Sequence, residues 1–191
     1  MRASFSARSQ RGALLIEVLV TIVILAIGLL GLAGLQARLQ LSEMESYQHA
    51  QALILLNDMS SRIATNRNAA LGYVTATALG AGMTCPTATV TATPPETQRE
   101  KDTREWCVTL QGAAEKSGAN DVGAMVGGRG CVQSAGANTY MVTVAWQGLV
   151  PISAPPASVA CGQNQYNTAG TSCINDLCRR AITTIVRIAT L

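Results

Sequence analysis

Three residues near the amino terminus have the types and spacing to do chemistry together. Gly12, Ala13 and Glu17 stand in the run Gln10-Arg11-Gly12-Ala13-Leu14-Leu15-Ile16-Glu17-Val18-Leu19-Val20. The apolar stretch continues through Leu35, and the next formal charge after Glu17 is Arg38. About 20 apolar residues suffice to cross the core of a bilayer. An ionised carboxylate at that depth costs on the order of a few kcal/mol and calls for a partner. Cleavage after Gly12 would supply one. Ala13 would then carry a free amine one helical turn before Glu17, on the same helix face. That amine can neutralise Glu17 within the chain or in a neighbouring copy. A plain signal anchor, with its acid near the interface, is the alternative.

The second chemical set is Cys85, Cys107, Cys131, Cys161, Cys173 and Cys178. All six follow the apolar stretch. An even count beyond a membrane anchor reads as oxidised pairs in the periplasm or outside the cell. Six cysteines allow 15 connectivities, and spacing alone selects none of them. A zinc site fits poorly, because there is no Cys-x-x-Cys pair and the single histidine, His49, lies far away. No metal or other cofactor is called for.

These residues need elements to position them. The chain has 191 residues, room for one anchor and one modest globular domain. Residues 1–12 form a basic leader that holds this end in the cytoplasm. Residues 13–37 form a transmembrane or filament-core helix, and 38–71 its amphipathic continuation. Residues 72–191 form a globular domain outside the membrane. An ordinary secretory signal fits less well, since the apolar block is too long and contains Glu17. Of the 14 lysines and arginines, Arg2, Arg8 and Arg11 lie in the leader. Its removal leaves 11 basic against 11 acidic side chains. A balanced chain lacks the electrostatic footprint of a nucleic-acid binder.

From Ala13 a helical pattern runs without a proline to about Ala70. Leu39, Met44, Ala52, Leu55, Leu56, Met59 and Ile63 recur at helical steps, with Gln48, Asp58 and Arg62 between them. Gly28, Gly31 and Gly34 mark a segment that loosens or packs closely on assembly, or are simply glycines that a membrane helix tolerates. Gly72–Gln98 reads as a surface loop, with a short strand at Val74–Ala78 or Ala88–Ala92. A second helix is predicted over Asp102–Ser117, capped by Asp102 or Thr103 and stopped by Gly118; a strand over Trp106–Leu110 is the alternative. Tyr140–Trp146 is the clearest strand, with Tyr140, Val142, Val144 and Trp146 on one face. It forms a hairpin with a strand beginning at Cys131. Cys161–Cys178 is a stapled polar excursion. Ile182–Ala189 is the last strand, preceded by Arg179-Arg180, which reads as a solvated pair at a strand entry, with a place against a partner or an acidic subunit surface as the alternative.

The run from Arg11-Gly12 to Glu17-Val18 resembles the class III signal of type IV pilins and type II secretion pseudopilins. The resemblance implies cleavage after Gly12 by a prepilin peptidase and N-methylation of Ala13, where the family usually carries phenylalanine. It also implies that Glu17 is the assembly charge. The anchor Ile27–Gln36 and the pattern Tyr140-x-Val142-x-Val144-x-Trp146-Gln147-Gly148, Cys161-Gly162 and Arg179-Arg180 are similar to the minor pilin family called type IV pilus modification protein PilV. The similarity covers residues 11–70 and roughly 138–190. It implies an α+β pilin-like fold, a long amino-terminal helix packed on a small antiparallel sheet.

The implied function is a minor pilin that primes assembly and sits at the pilus tip, affecting twitching motility and adhesion. The implied partners are other minor pilins, the major pilin, the prepilin peptidase, the inner-membrane assembly platform and a tip adhesin. The implied location is the inner membrane, crossed once, before assembly, and the pilus at the cell surface afterwards. A minor pseudopilin of a type II secretion system shares the anchor, the cleavage and Glu17, and is the competing function. A tethered periplasmic enzyme fits least. His49 has no Ser or Cys partner within the domain, and Asp102, Glu105, Glu115 and Asp121 are scattered.

This reading makes Gly12 indispensable to processing. Gly12→Val is expected to leave the precursor uncut, as followed by electrophoretic mobility and mass; a Gly12→Val protein of mature size would contradict it.

Overall fold

The computed structural model describes residues 11–88, 95–113, 116–118, 120, 121, 123 and 125–189. The leader residues 1–10 and most of the expected strand 88–92 lie outside them. Helix α1 spans Arg11–Thr65. It is followed by a 3-10 turn, Arg67–Tyr73, so the α-helix ends about a turn earlier than the apolar pattern predicts. The remaining elements are β1 (Leu79–Gly80), α2 (Gln98–Leu110), β2 (Lys116–Ser117), β3 (Asn120–Asp121), β4 (Arg129–Gly136), β5 (Thr139–Gln147) and β6 (Arg179–Arg187). The chain divides into two compact units, Met1–Met44 and Glu45–Leu191. The division falls inside α1, seven residues after the boundary read from sequence.

The fold is α+β and pilin-like in layout, with a long apolar amino-terminal helix and a small carboxy-terminal antiparallel sheet. The sheet order is β1-β4-β5-β6, and β2 pairs only with β3. The β4–β5 hairpin turns at Gly136–Asn138, with a bulge between Ser134 and Gly136. Gly136 and Asn138 have positive φ, at 139° and 50°.

Alternation in β5 decides what the sheet buries. Tyr140, Val142, Val144 and Trp146 pack in one core with Ala52, Leu55, Leu56, Met59 and Ile63 of α1 and with Trp106 and Leu110 of α2. The amphipathic face of α1 is therefore shorter than the pattern suggests. Leu39 and Met44 remain exposed, whereas Gln48 is buried. Trp106 donates its indole N–H to the Leu55 carbonyl at 2.9 Å, joining the two helices through a polar contact inside the core. A Cβ on Gly130 would run into the Trp106 ring and Leu110, so only glycine lets β4 approach α2 this closely.

Helix α2 begins earlier than predicted. Thr97 caps it, and Thr97 and Glu100 form a reciprocal capping box. The Thr97 hydrogen bonds hold the Glu100 carboxyl below the usual range. Asp102 is inside the helix and buried rather than at its cap. The helix ends at Leu110, before Gly112 with φ 99°, not at Gly118.

The opposite sheet face is also covered. Cys131, Ala145, Cys161 and Tyr166 form a second small core beneath the 159–178 excursion. Three disulfides fix the loops: Cys85–Cys107, Cys131–Cys161 and Cys173–Cys178. The first two close 22 and 30 residues, and loops of that size stabilise by roughly 3 kcal/mol each.

Arg179 corrects the sequence expectation of a solvated pair. β6 begins at Arg179 rather than Ile182, and Arg179 is only 1% exposed. Its guanidinium donates to Asp176 Oδ2 at 3.1 Å and to the carbonyls of Val159 and Cys161. One cation thus gathers both ends of the excursion. Arg179→Ala would leave Asp176 buried and unpaired, which costs about 3–5 kcal/mol. Denaturant unfolding of the oxidised full-length protein should show a loss of that size; a loss below about 1 kcal/mol would mean that the pair contributes little.

Candidate assembly site

In the amino-terminal unit, every residue from Leu15 to Met44 is exposed. α1 contains the one helix segment among the described residues that is long and apolar enough to cross a membrane. An uncovered apolar surface of this extent is of the kind that marks a site of interaction with lipid or protein. Gly12 and Ala13 lie in the first turn of α1. Glu17 sits one turn later, exposed among Leu15, Ile16, Val18 and Leu19. No hydrogen bond or ion pair joins its carboxylate to any of the described residues.

α1 is continuous through Gly28, Gly31 and Gly34. A Cβ added at any of these three would meet nothing within 4 Å. Glycine costs about 1 kcal/mol relative to alanine in a helix interior. No contact with the described residues offsets that cost.

The carboxy-terminal unit begins with a charged staple that sequence reasoning missed. Glu45 Oε1 accepts from the Leu149 backbone N–H at 2.9 Å and from Arg180 at 3.2 Å. Arg180 also donates to the Val150 carbonyl at 2.7 Å. Alternation along β6 sends Arg180 to the α1 side of the sheet and Arg179 to the other. His49 lies edge-on to Trp146, with ring centroids 5.9 Å apart.

A second polar network joins α1 to α2. Arg62 donates to Asp58, to Asp102 at 2.9 Å and to Glu105 at 2.8 Å. Burial opposes the charge on Arg62, but its bonds to Glu105, Asp58 and Asp102 outweigh burial and hold the guanidinium protonated above its ordinary range. Tyr73 donates to Asp102 Oδ2 and accepts from Asn66. Burial first, and then the Asp102 bond, push the Tyr73 phenol up to about 12. These groups form a structural brace.

The six predicted cysteines are all paired, in one of the open connectivities. Among the described residues, no group of three His, Cys, Asp or Glu side chains could hold a metal ion. No protein-family model, curated protein or solved structure matches the chain.

The raised Tyr73 pKa has a directional consequence for stability. The neutral phenol is favoured in the folded protein, so its contribution is complete below pH 10 and is lost as pH rises towards about 12. Melting temperature should fall less steeply over that window in Tyr73→Phe than in the parent; equal slopes would contradict this.

Proposed function

We propose that this chain is a minor pilin of the type IV pilus, anchored in the inner membrane before assembly and extracted into the filament. The observation that carries the proposal is Glu17. It is a lone acid five residues after Gly12, in an apolar helical segment that finds no cover among the described residues. Cleavage after Gly12 exposes the Ala13 amine, and methylation keeps it basic. Packed among apolar helices, Glu17 is costly unless that amine, or the amine of a neighbour, answers it. Addition of a subunit is thereby coupled to charge neutralisation.

The uncompensated glycines in α1 fit the same scheme, since small residues let neighbouring helices approach closely. The disulfide-fixed domain fits exposure on the outside of a filament, where thiols oxidise. Its proposed role is to prime assembly with other minor pilins and sit near the tip, contributing to adhesion and twitching motility.

Glu17→Ala should leave cleavage intact and reduce recovery in sheared pili at least about tenfold, the equivalent of 1.4 kcal/mol or more of lost pairing. Unchanged co-purification would contradict the proposal. A deletion that abolishes exoprotein secretion while sparing twitching would assign the chain to a type II secretion pseudopilus instead.

A further inference from the structure

A cleft of about 490 Å³ opens in the carboxy-terminal unit, between the 77–83 loop and the base of the 159–178 excursion. Its volume is in the range of sites for small ligands. Arg129, at the start of β4, lines it with Thr77, Gly82, Gln163 and Gln165. The guanidinium lies over the Tyr166 ring, 5.0 Å from the centroid. Its Nη1 donates to the Gly127 carbonyl at 3.3 Å, and the Tyr166 hydroxyl donates to the same oxygen at 2.9 Å. Tyr166 is itself buried. The fork is therefore held by an aromatic face and one carbonyl.

Arg129 differs from the other arginines of this unit that hold fixed positions. Arg62, Arg99, Arg104, Arg179 and Arg180 each pair with a carboxylate, whereas Arg129 pairs with none among the described residues. Besides the Gly127 carbonyl it also meets the Tyr166 hydroxyl, which leaves at most three of its five N–H donors for a ligand. The cleft is kept open in front of it by Gly82, whose added Cβ would stand 3.2 Å from Arg129 Nη2.

We propose that this cleft binds a carboxylate-bearing sugar. A pre-oriented guanidinium fork matches a carboxylate bidentately, which a lysine ammonium cannot do. A single cation suits a monoanion. Around it, the Thr77 hydroxyl and the Gln163 and Gln165 amides both donate and accept, as recognition of a hydroxyl-rich ring requires. The site does not depend on filament assembly, so its test is independent of the function proposed above.

The test uses the full-length oxidised protein in detergent micelles, titrated with glucuronate and followed by calorimetry and ligand-observed NMR. Glucuronate is expected to bind saturably in the millimolar range, and glucose at least about tenfold more weakly, since the charge-assisted bonds are lost. Arg129→Gln should weaken glucuronate by a similar factor, with Arg129→Lys closer to Gln than to the parent. Gln163→Glu, at an exposed position that lines the same cleft, places a carboxylate there and should weaken glucuronate even if Arg129 variants fold poorly. No saturable glucuronate signal overturns the proposal, as does equal affinity for glucose. Phosphate binding as tightly as glucuronate would make the cleft a general anion site, and tighter binding of a peptide with a free carboxyl end would make it a reader of chain ends. Either result also overturns the sugar assignment.

Discussion

Removal of apolar helix surface from water is the constraint on which the structure turns. α1 carries far more of that surface than its own chain can cover. From Ala52 to Ile63 the cover is intramolecular, supplied by β5 and α2. From Leu15 to Met44 it is absent. Hydrophobic burial is the main favourable term in folding and in association alike. The same helix is therefore a core element over one length and an unsatisfied interface over the other. A charge within that interface gains meaning from what must eventually surround it.

The carboxy-terminal unit meets a different problem with few aromatic residues. A sheet this small, with α1 and α2 on one face, would leave Ala145 and Cys131 open to solvent on the other. The 159–178 excursion covers them, although it contains little regular structure. It is held by Arg179, by Asp176 and by two disulfides rather than by a large apolar core. Arg62 plays the corresponding part between the helices. Charged hydrogen bonds of this kind fix geometry more than they add stability, because desolvation offsets much of their attraction. What they secure here is a definite course for segments with little hydrophobic instruction.

Much of this was legible in the residues, and the exceptions have physical causes. Strict alternation over Tyr140–Trp146 marks a strand because its two faces have different chemistry. The uninterrupted pattern in α1 marks a helix for a similar reason. The start of α2 is ambiguous in the sequence although the Thr97-x-x-Glu100 capping box lies in plain view, because Asp102 and Thr103 offer a competing cap. β1 has two residues and no periodicity to detect. Arg179 looked solvated since nothing local distinguishes it from Arg180; only the excursion folding over β6 separates their fates. The cysteine pairing and the Arg129 cleft are both products of tertiary closure. The Gly12–Glu17 spacing is legible, but none of the described residues pairs with Glu17.

If α1 becomes an assembly element, an amine is released one turn before Glu17, the lone acid of its apolar segment. Intact-mass measurement of the native protein recovered from the cell surface addresses this most directly. The account predicts a polypeptide beginning at Ala13, with its six cysteines oxidised. A functional surface protein that still begins at Met1 would contradict it.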